Sequence, residues 1–293
     1  LNIREKLIHL HHCRGIGWKA IRKVLKHDPA LTSLYDWPMN TWQEVLPLTL
    51  PKLQLFLEDL HSIDIEKLIR QYSANQIDCM TIMDDDYPFL LKQIFDPPWV
   101  LYVKGQRDLL AEAPALGVVG ARKPSSYGIE ALKMILPPLV QKGYVIISGA
   151  ATGIDALSHK LSLYQKGKTI GVLGGGHFYI YPKENIPLAI AIMKEGLLIS
   201  EVPPGRRPEP WMFPMRNRII SGLSQGVFII EAKQNSGSLI TAQYALEHGR
   251  EVFALPGNVT SELSLGSNLL IQDGAKPVLQ ANDIETEMSS GIH

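Results

Sequence analysis

Cysteine is almost missing from this chain. Two occur in 293 residues, Cys13 and Cys79. They form no CxxC pair and give no disulfide framework, and a reducing, cytoplasmic setting fits. Net charge is missing too: Lys+Arg and Asp+Glu both number 29, a formal +0. Nucleic-acid binders often have a pI above about 9, so local clustering must carry any such role here. No apolar run reaches the roughly 18 residues of a membrane span, and no basic stretch leads into an apolar one as in a secretory signal. There is no internal repeat and no low-complexity tract. No GxGxxG occurs, so a standard dinucleotide site is not supported. Gly167-Lys168-Thr169 looks like the tail of a Walker A loop. Ser162 stands where that loop's earlier glycine belongs, and the triplet precedes a strand instead of following one, so phosphate binding of that type is not expected. His9, His12 and Cys13 could share a helix face, but without a second ligand pair they read as packing or surface residues. No metal or cofactor is expected.

What is present reads as about two domains for this length. Hydrophobic residues make up 45% and charged residues 20%, ordinary for a globular protein. Residues 1–75 are helical in pattern: Leu7, Leu10, Ile16, Ile21, Val24 and Leu25 recur at helical spacing, as do Leu53, Phe56, Leu57, Leu60 and Ile69. From about residue 76 the texture changes. Strands are expected at 79–83 and 99–103, then at 115–119, 144–147, 169–173, 197–201, 227–230 and 251–254. Helices are expected at 128–142, 155–164, 187–195 and 239–248. Near-continuous apolar strands alternating with helices predict a doubly wound α/β sheet with both faces covered. Residues 281–293 read as a polar, frayed tail with no winged helix.

Ligands on such sheets bind beyond the carboxyl ends of the strands, and the polar motifs fall there. Gly120-Ala121-Arg122 ends a strand, and Ser125 and Ser126 are placed to cap the next helix, giving an anion site beside Arg122. Ser148-Gly149 to Gly153-Ile154-Asp155 is a turn of small residues that lets a phosphate approach backbone N–H groups. Asp155 there reads as a helix cap instead of a chemical group. Gly174-Gly175-Gly176-His177 is followed by Tyr181-Pro182-Lys183, where Lys183 can reach a phosphate and His177 is a bystander or a proton donor. Ser236-Gly237-Ser238 opens another helix and can bind a second phosphate. In the first domain, Cys13-Arg14-Gly15-Ile16-Gly17 is either a helix-hairpin-helix element presenting N–H groups to DNA or an ordinary αα-hairpin.

The sharpest stretch is Phe213-Pro214-Met215-Arg216-Asn217-Arg218. With Arg206 and Arg207 it holds four arginines against one acid, Glu209, and Trp211 and Phe213 lie among them. Arginine clamps phosphate bidentately. A ring stacks on any base for about 1–3 kcal/mol. The segment is read as a basic, aromatic loop.

These motifs, in this order, resemble the DNA-processing protein A family (DprA, also called Smf). Further support comes from Pro203-Pro204-Gly205, from Leu239-Ile240-Thr241-Ala242 after the serine turn, and from Ala254-Leu255-Pro256-Gly257. The resemblance implies an extended Rossmann-like domain over 76–280 behind a small all-helical SAM-like domain over 1–75. It implies no enzyme. It implies a dimeric protein that coats incoming single-stranded DNA during natural transformation, displaces single-strand-binding protein and loads RecA. Arg122, Ser125, Ser126, Gly149, Lys183, Arg216, Asn217, Arg218, Ser236, Gly237 and Ser238 would hold the backbone and Phe213 a base. Leu269-Leu270-Ile271 is the candidate for self-association. The alternative is a nucleotide-handling enzyme of the phosphoribohydrolase type on a similar sheet. That reading lacks its catalytic glutamate in the 236–242 stretch.

Overall fold

In a computed structural model of the chain, residues 1–111 and 114–290 are described. They divide into two compact units, one of residues 1–87 with 98–102, the other of residues 88–97 with 103 onward.

The first unit holds α1 (Ile3–His12), α2 (Trp18–His27), α3 (Met39–Val45), α4 (Leu50–Ser62), α5 (Ile65–Ala74) and β1 (Asp78–Thr81). A capping box starts α1: the Asn2 side chain accepts from the Glu5 N–H at 2.9 Å, and the Glu5 carboxylate accepts from the Asn2 N–H at 2.9 Å. The apolar positions spaced for helices do fill one core, with Leu7, Leu10, Ile21, Val24, Phe56 and Leu60 buried around Trp42. Ile77, Cys79, Val100 and Tyr102 belong to that same core, so this unit runs beyond residue 75. Both cysteines are buried thiols, and burial pushes Cys79 up to about 12, which keeps it protonated and inert. His9 bonds the Tyr35 hydroxyl at 2.9 Å and His12 the Tyr72 hydroxyl at 3.0 Å, the packing role expected of them.

Strand β2 (Val100–Gly105) leads into the second unit, which also holds α6 (Phe89–Lys92). Then come β3 (Ala115–Gly120), α7 (Ser126–Gln141), β4 (Val145–Ser148), α8 (Ile154–Tyr164), β5 (Thr169–Val172), α9 (Ile186–Glu195) and β6 (Leu197–Ser200). They are followed by α10 (Met212–Leu223), β7 (Gly226–Ile230), α11 (Gly237–Glu247), β8 (Glu251–Ala254), α12 (Glu262–Gln272), β9 (Lys276–Pro277) and α13 (Ala281–Ser290). Within this unit the strands run in the order β6-β5-β4-β3-β7-β8-β9, each parallel to its neighbour. The α/β sheet read from the alternation is present. The chain winds outward from β3 to β6, then returns to place β7 on the other side of β3. That reversal opens a crevice beyond the carboxyl ends of β3 and β7.

Two expectations are corrected. The segment read as a loop at 213–218 is the first half of α10. Residues 281–290 are not a frayed tail but helix α13, with Ile284 and Met288 buried in the core beside α7. Each such side chain contributes roughly 1.5–3 kcal/mol, and Asp283 caps the helix by accepting from the N–H groups of Leu279 (2.7 Å) and Gln280 (3.0 Å). Residues 291–293 lie outside the described part.

Candidate nucleic-acid interface

A cavity of about 1040 Å³ lies at the reversal point. The turns after β3 and β7, the first turns of α10 and α11, and α12 surround it. Arg122, Phe213, Arg216, Asn217, Ser236, Gly237 and Ser238 line it. Seven of the residues singled out in the sequence therefore share one wall-to-wall space.

The helical period of α10 sorts its polar residues. Phe213 and Asn217 are four apart and stand on one face. Both meet the cavity, and the Asn217 amide donates to the Gly237 carbonyl at 3.1 Å, tying α10 to the start of α11. Arg216 lies just behind them and is 7% exposed. Its guanidinium donates to the carbonyls of Gly149 and Val172, closing the ends of β4 and β5. A Cβ at Gly149 would stand 2.5 Å from that guanidinium, so a larger residue there would push the arginine off its carbonyls. Asp155 faces the same charge from α8. Burial raises its carboxyl, while Arg216 and the N–H groups of Ala151 and Gly149 oppose the rise. The helix cap is Gly153 at φ +78, so Asp155 braces the turn instead of capping. A side chain at Gly153 would strike the Ala121 carbonyl at 2.3 Å. This close approach props up the turn that carries Arg122, and Arg122 itself is exposed.

Arg218, five residues past Phe213, falls on the opposite face. It is 1% exposed and pairs with Glu201 at 2.6 Å and Asp96 at 3.3 Å. The expectation that it holds phosphate is corrected: two carboxylates already neutralise it. Ser125 is corrected for a similar reason, and Ser126 is exposed at the start of α7, away from the cavity. Ser125 caps α7, and its N–H donates to the Glu231 carboxylate at 2.8 Å, with its hydroxyl on the other oxygen. The anion site at that helix start is filled from within by Glu231, a residue held at φ +55 that sequence reasoning missed. Neither serine lines the cavity. Lys183 is exposed on a short turn outside it. His177 is buried with Nε2 on the Leu198 carbonyl at 3.2 Å, and burial lowers it to about 4, so it is no proton donor to a ligand here.

The start of α11 differs from that of α7. Its first turn carries no acid, Ser236 holds the N-cap position without a side-chain hydrogen bond to the helix, and the Ser236 and Ser238 hydroxyls lie 2.8 Å apart. One turn on, the buried Thr241 hydroxyl lines the cavity without a hydrogen-bond partner among the described residues. The positive end of this helix dipole is therefore open. An exposed arginine, a half-exposed ring and an acid-free helix start around one opening can take a phosphate chain and a base.

In the first unit, the turn between α1 and α2 spends its cation. The Arg14 fork sits on Asp59 at 2.7 and 2.8 Å, and its N–H donates to the same carboxylate, which holds Asp59 below the usual range. Leu269, Leu270 and Ile271 lie half-buried on α12.

Comparison with known proteins points the same way. A family model described as DNA recombination-mediator protein A matches residues 78–289. The DNA processing protein DprA of Bacillus subtilis (strain 168) is 47% identical over 224 residues, 76% of this chain and 75% of that one. The X-ray structure of DNA processing protein A from Streptococcus pneumoniae is similar with a TM-score of 0.84 at 36% identity, covering 97% of both chains. A solved structure of Helicobacter pylori DNA processing protein A, described for its single-stranded DNA binding mode, is similar with a TM-score of 0.66 at 27% identity and covers 73% of this chain and 97% of that one.

Proposed function

Since the chain belongs to the DNA recombination-mediator protein A family, we propose that it binds single-stranded DNA, without sequence preference, as a recombination mediator. The carrying observation is the cavity between β3 and β7, where Arg122, Phe213 and the open start of α11 surround one space. In this reading Arg122 clamps one phosphate and the N–H groups after Ser236 take another. Phe213 stacks on a base, Asn217 fixes the gap between them, and Arg216 acts as a brace for the turn at Gly149. Lys183, outside the cavity but two residues from Tyr181, meets the strand where it leaves over Phe213. The Helicobacter pylori relative, similar in fold and known for its single-stranded DNA binding mode, supports the assignment. No helix among the described residues is long and apolar enough to cross a membrane.

The proposal extends to the role the family resemblance implies. The protein protects incoming strands during natural transformation, displaces single-strand-binding protein, loads RecA, and works as a homodimer through the α12 face that carries Leu269, Leu270 and Ile271. Binding, not turnover, is its task. A gel-shift series with single-stranded and duplex oligonucleotides, with and without RecA, tests it. Single strands should be preferred, and affinity should fall as salt rises because neutralised phosphates release counterions. Equal binding of duplex, or none at low salt, would overturn the reading.

A further inference from the structure

The segment between β6 and α10 is not a slack connection. Gly174, Gly175 and Gly176 follow β5; the segment lies directly on Gly175 and Gly176, and Phe213 at the start of α10 lies on Gly174. A Cβ at Gly175 would stand 2.8 Å from the Pro208 side chain, and one at Gly176 2.2 Å from the Pro203 carbonyl. Gly176 N–H donates to the Arg206 carbonyl at 2.9 Å, and Phe178 N–H to the Pro204 carbonyl at 3.1 Å. Two chain segments are thus locked by backbone contacts that only glycine allows.

On this locked base sit paired rings and cations. The Arg207 guanidinium lies 5.2 Å from the Tyr179 ring centre, and Arg206 lies 5.6 Å from that of Trp211. Glu209 fixes the second pair, accepting from Arg206 at 3.0 Å and from the Trp211 indole at 2.9 Å. Arg207 has no carboxylate partner among the described residues, so the edge of its fork is unspent. Tyr179 is 38% exposed and Trp211 52%. Phe213, at the cavity mouth, packs on Tyr181 with ring centres 5.6 Å apart, and Trp211 precedes it by two residues. Rings held in place before binding lose little freedom when a base arrives.

We propose that Tyr179, Arg207 and Trp211 form a second stacking platform outside the cavity, on which the bases next to those in the cavity lie, with Arg207 on the phosphate between them. This rests on the single-stranded DNA reading above and adds to it a longer contact path, set by the three glycines after β5.

The test is affinity against length, with oligothymidylates from a few nucleotides upward, for the parent and for Tyr179→Ala, Trp211→Ala, Trp211→Phe and Arg207→Glu. Each ring lost should weaken long oligonucleotides about tenfold and leave the shortest ones unchanged. Trp211→Phe, which keeps a ring, should bind near the parent level. Arg207→Glu should lower the salt slope by about one ion. Thermal unfolding of each variant shows that the fold is kept. Parent-like affinity for long oligonucleotides in both alanine variants, while Arg122→Ala loses binding, would overturn the platform and leave the cavity reading standing. Equal losses at every length would also overturn it, since the rings would then act through the cavity. A parent that binds no single strand at any length would sink both readings.

Discussion

At the scale of single residues, four arginines that look alike in the sequence have four different situations. Arg122 is exposed beside the cavity, Arg216 is spent on backbone carbonyls, Arg218 is neutralised by Glu201 and Asp96, and Arg207 lies over a tyrosine ring. Substitution should separate them. Phe213→Ala should cost about 1–3 kcal/mol of single-strand affinity with little change in stability, measured by fluorescence anisotropy beside a thermal melt. Arg218→Ala should do the reverse. Removing one partner of a buried ion pair costs roughly 3 kcal/mol of stability, read in a denaturant titration, while any surviving folded protein binds DNA normally. A strong binding loss at full stability would show that Arg218 reaches the strand after all.

Secondary-structure elements explain why the residues sort as they do. A loop could have offered Arg216 and Arg218 together, but a helix cannot, because positions 213 and 217 share a face that 218 leaves. Local pattern hides this helix because prolines and arginines cluster at its start, while its apolar signal, Ile219, Ile220 and Leu223, comes late. The two helix starts at the crevice make the same point. Glu231 fills that of α7, and its approach from β7 is invisible to local pattern because more than a hundred residues separate it from Ser125. The start of α11 stays open, which gives a prediction with opposite signs. Gly237→Asp has nothing within 4 Å of its new Cβ. A carboxylate in a first helical turn stabilises by about 0.3–1 kcal/mol, so the melting temperature should rise slightly, yet the same charge should repel phosphate and weaken single-strand binding. Stronger binding by this variant would rule out phosphate at α11.

For the molecule as a whole, neutral total charge and local positive charge coexist because the acids at the opening face cations of their own: Glu262 pairs with Lys233 at 2.7 Å, and Asp155 faces Arg216. The buried histidines set how the second unit responds to acid. Burial lowers His159 to about 3 and His177 to about 4, from an ordinary 6.5. The unfolded chain therefore takes up protons that the folded one refuses once the pH drops below 6.5. Their contribution to stability is complete above 6.5 and is lost as the pH falls toward 4 and then 3. Asp155, raised by burial, works against them, but Arg216 restrains its shift, and His248, also lowered to about 4, adds to the histidine side. Denaturant midpoints should thus decline from neutral pH to about pH 5, above the range where ordinary carboxylates titrate. A flat profile across that window would mean that these histidines are solvated.

The sequence by itself determined the sheet, its alternation with helices, the family resemblance and the polar turns at the strand ends. Those properties rest on local periodicity and on short motifs, which survive any rearrangement of distant parts. It also placed Arg122, Phe213, Asn217 and the Ser236 turn in one candidate set. Only the tertiary structure decided which charges remain unspent. Whether an arginine meets solvent, a carbonyl or a carboxylate depends on what packs against it, and Glu231, Glu201, Asp96 and the Val172 carbonyl come from elsewhere in the chain. It also turned a polar tail into α13, because two apolar residues find a core that ten residues alone do not contain.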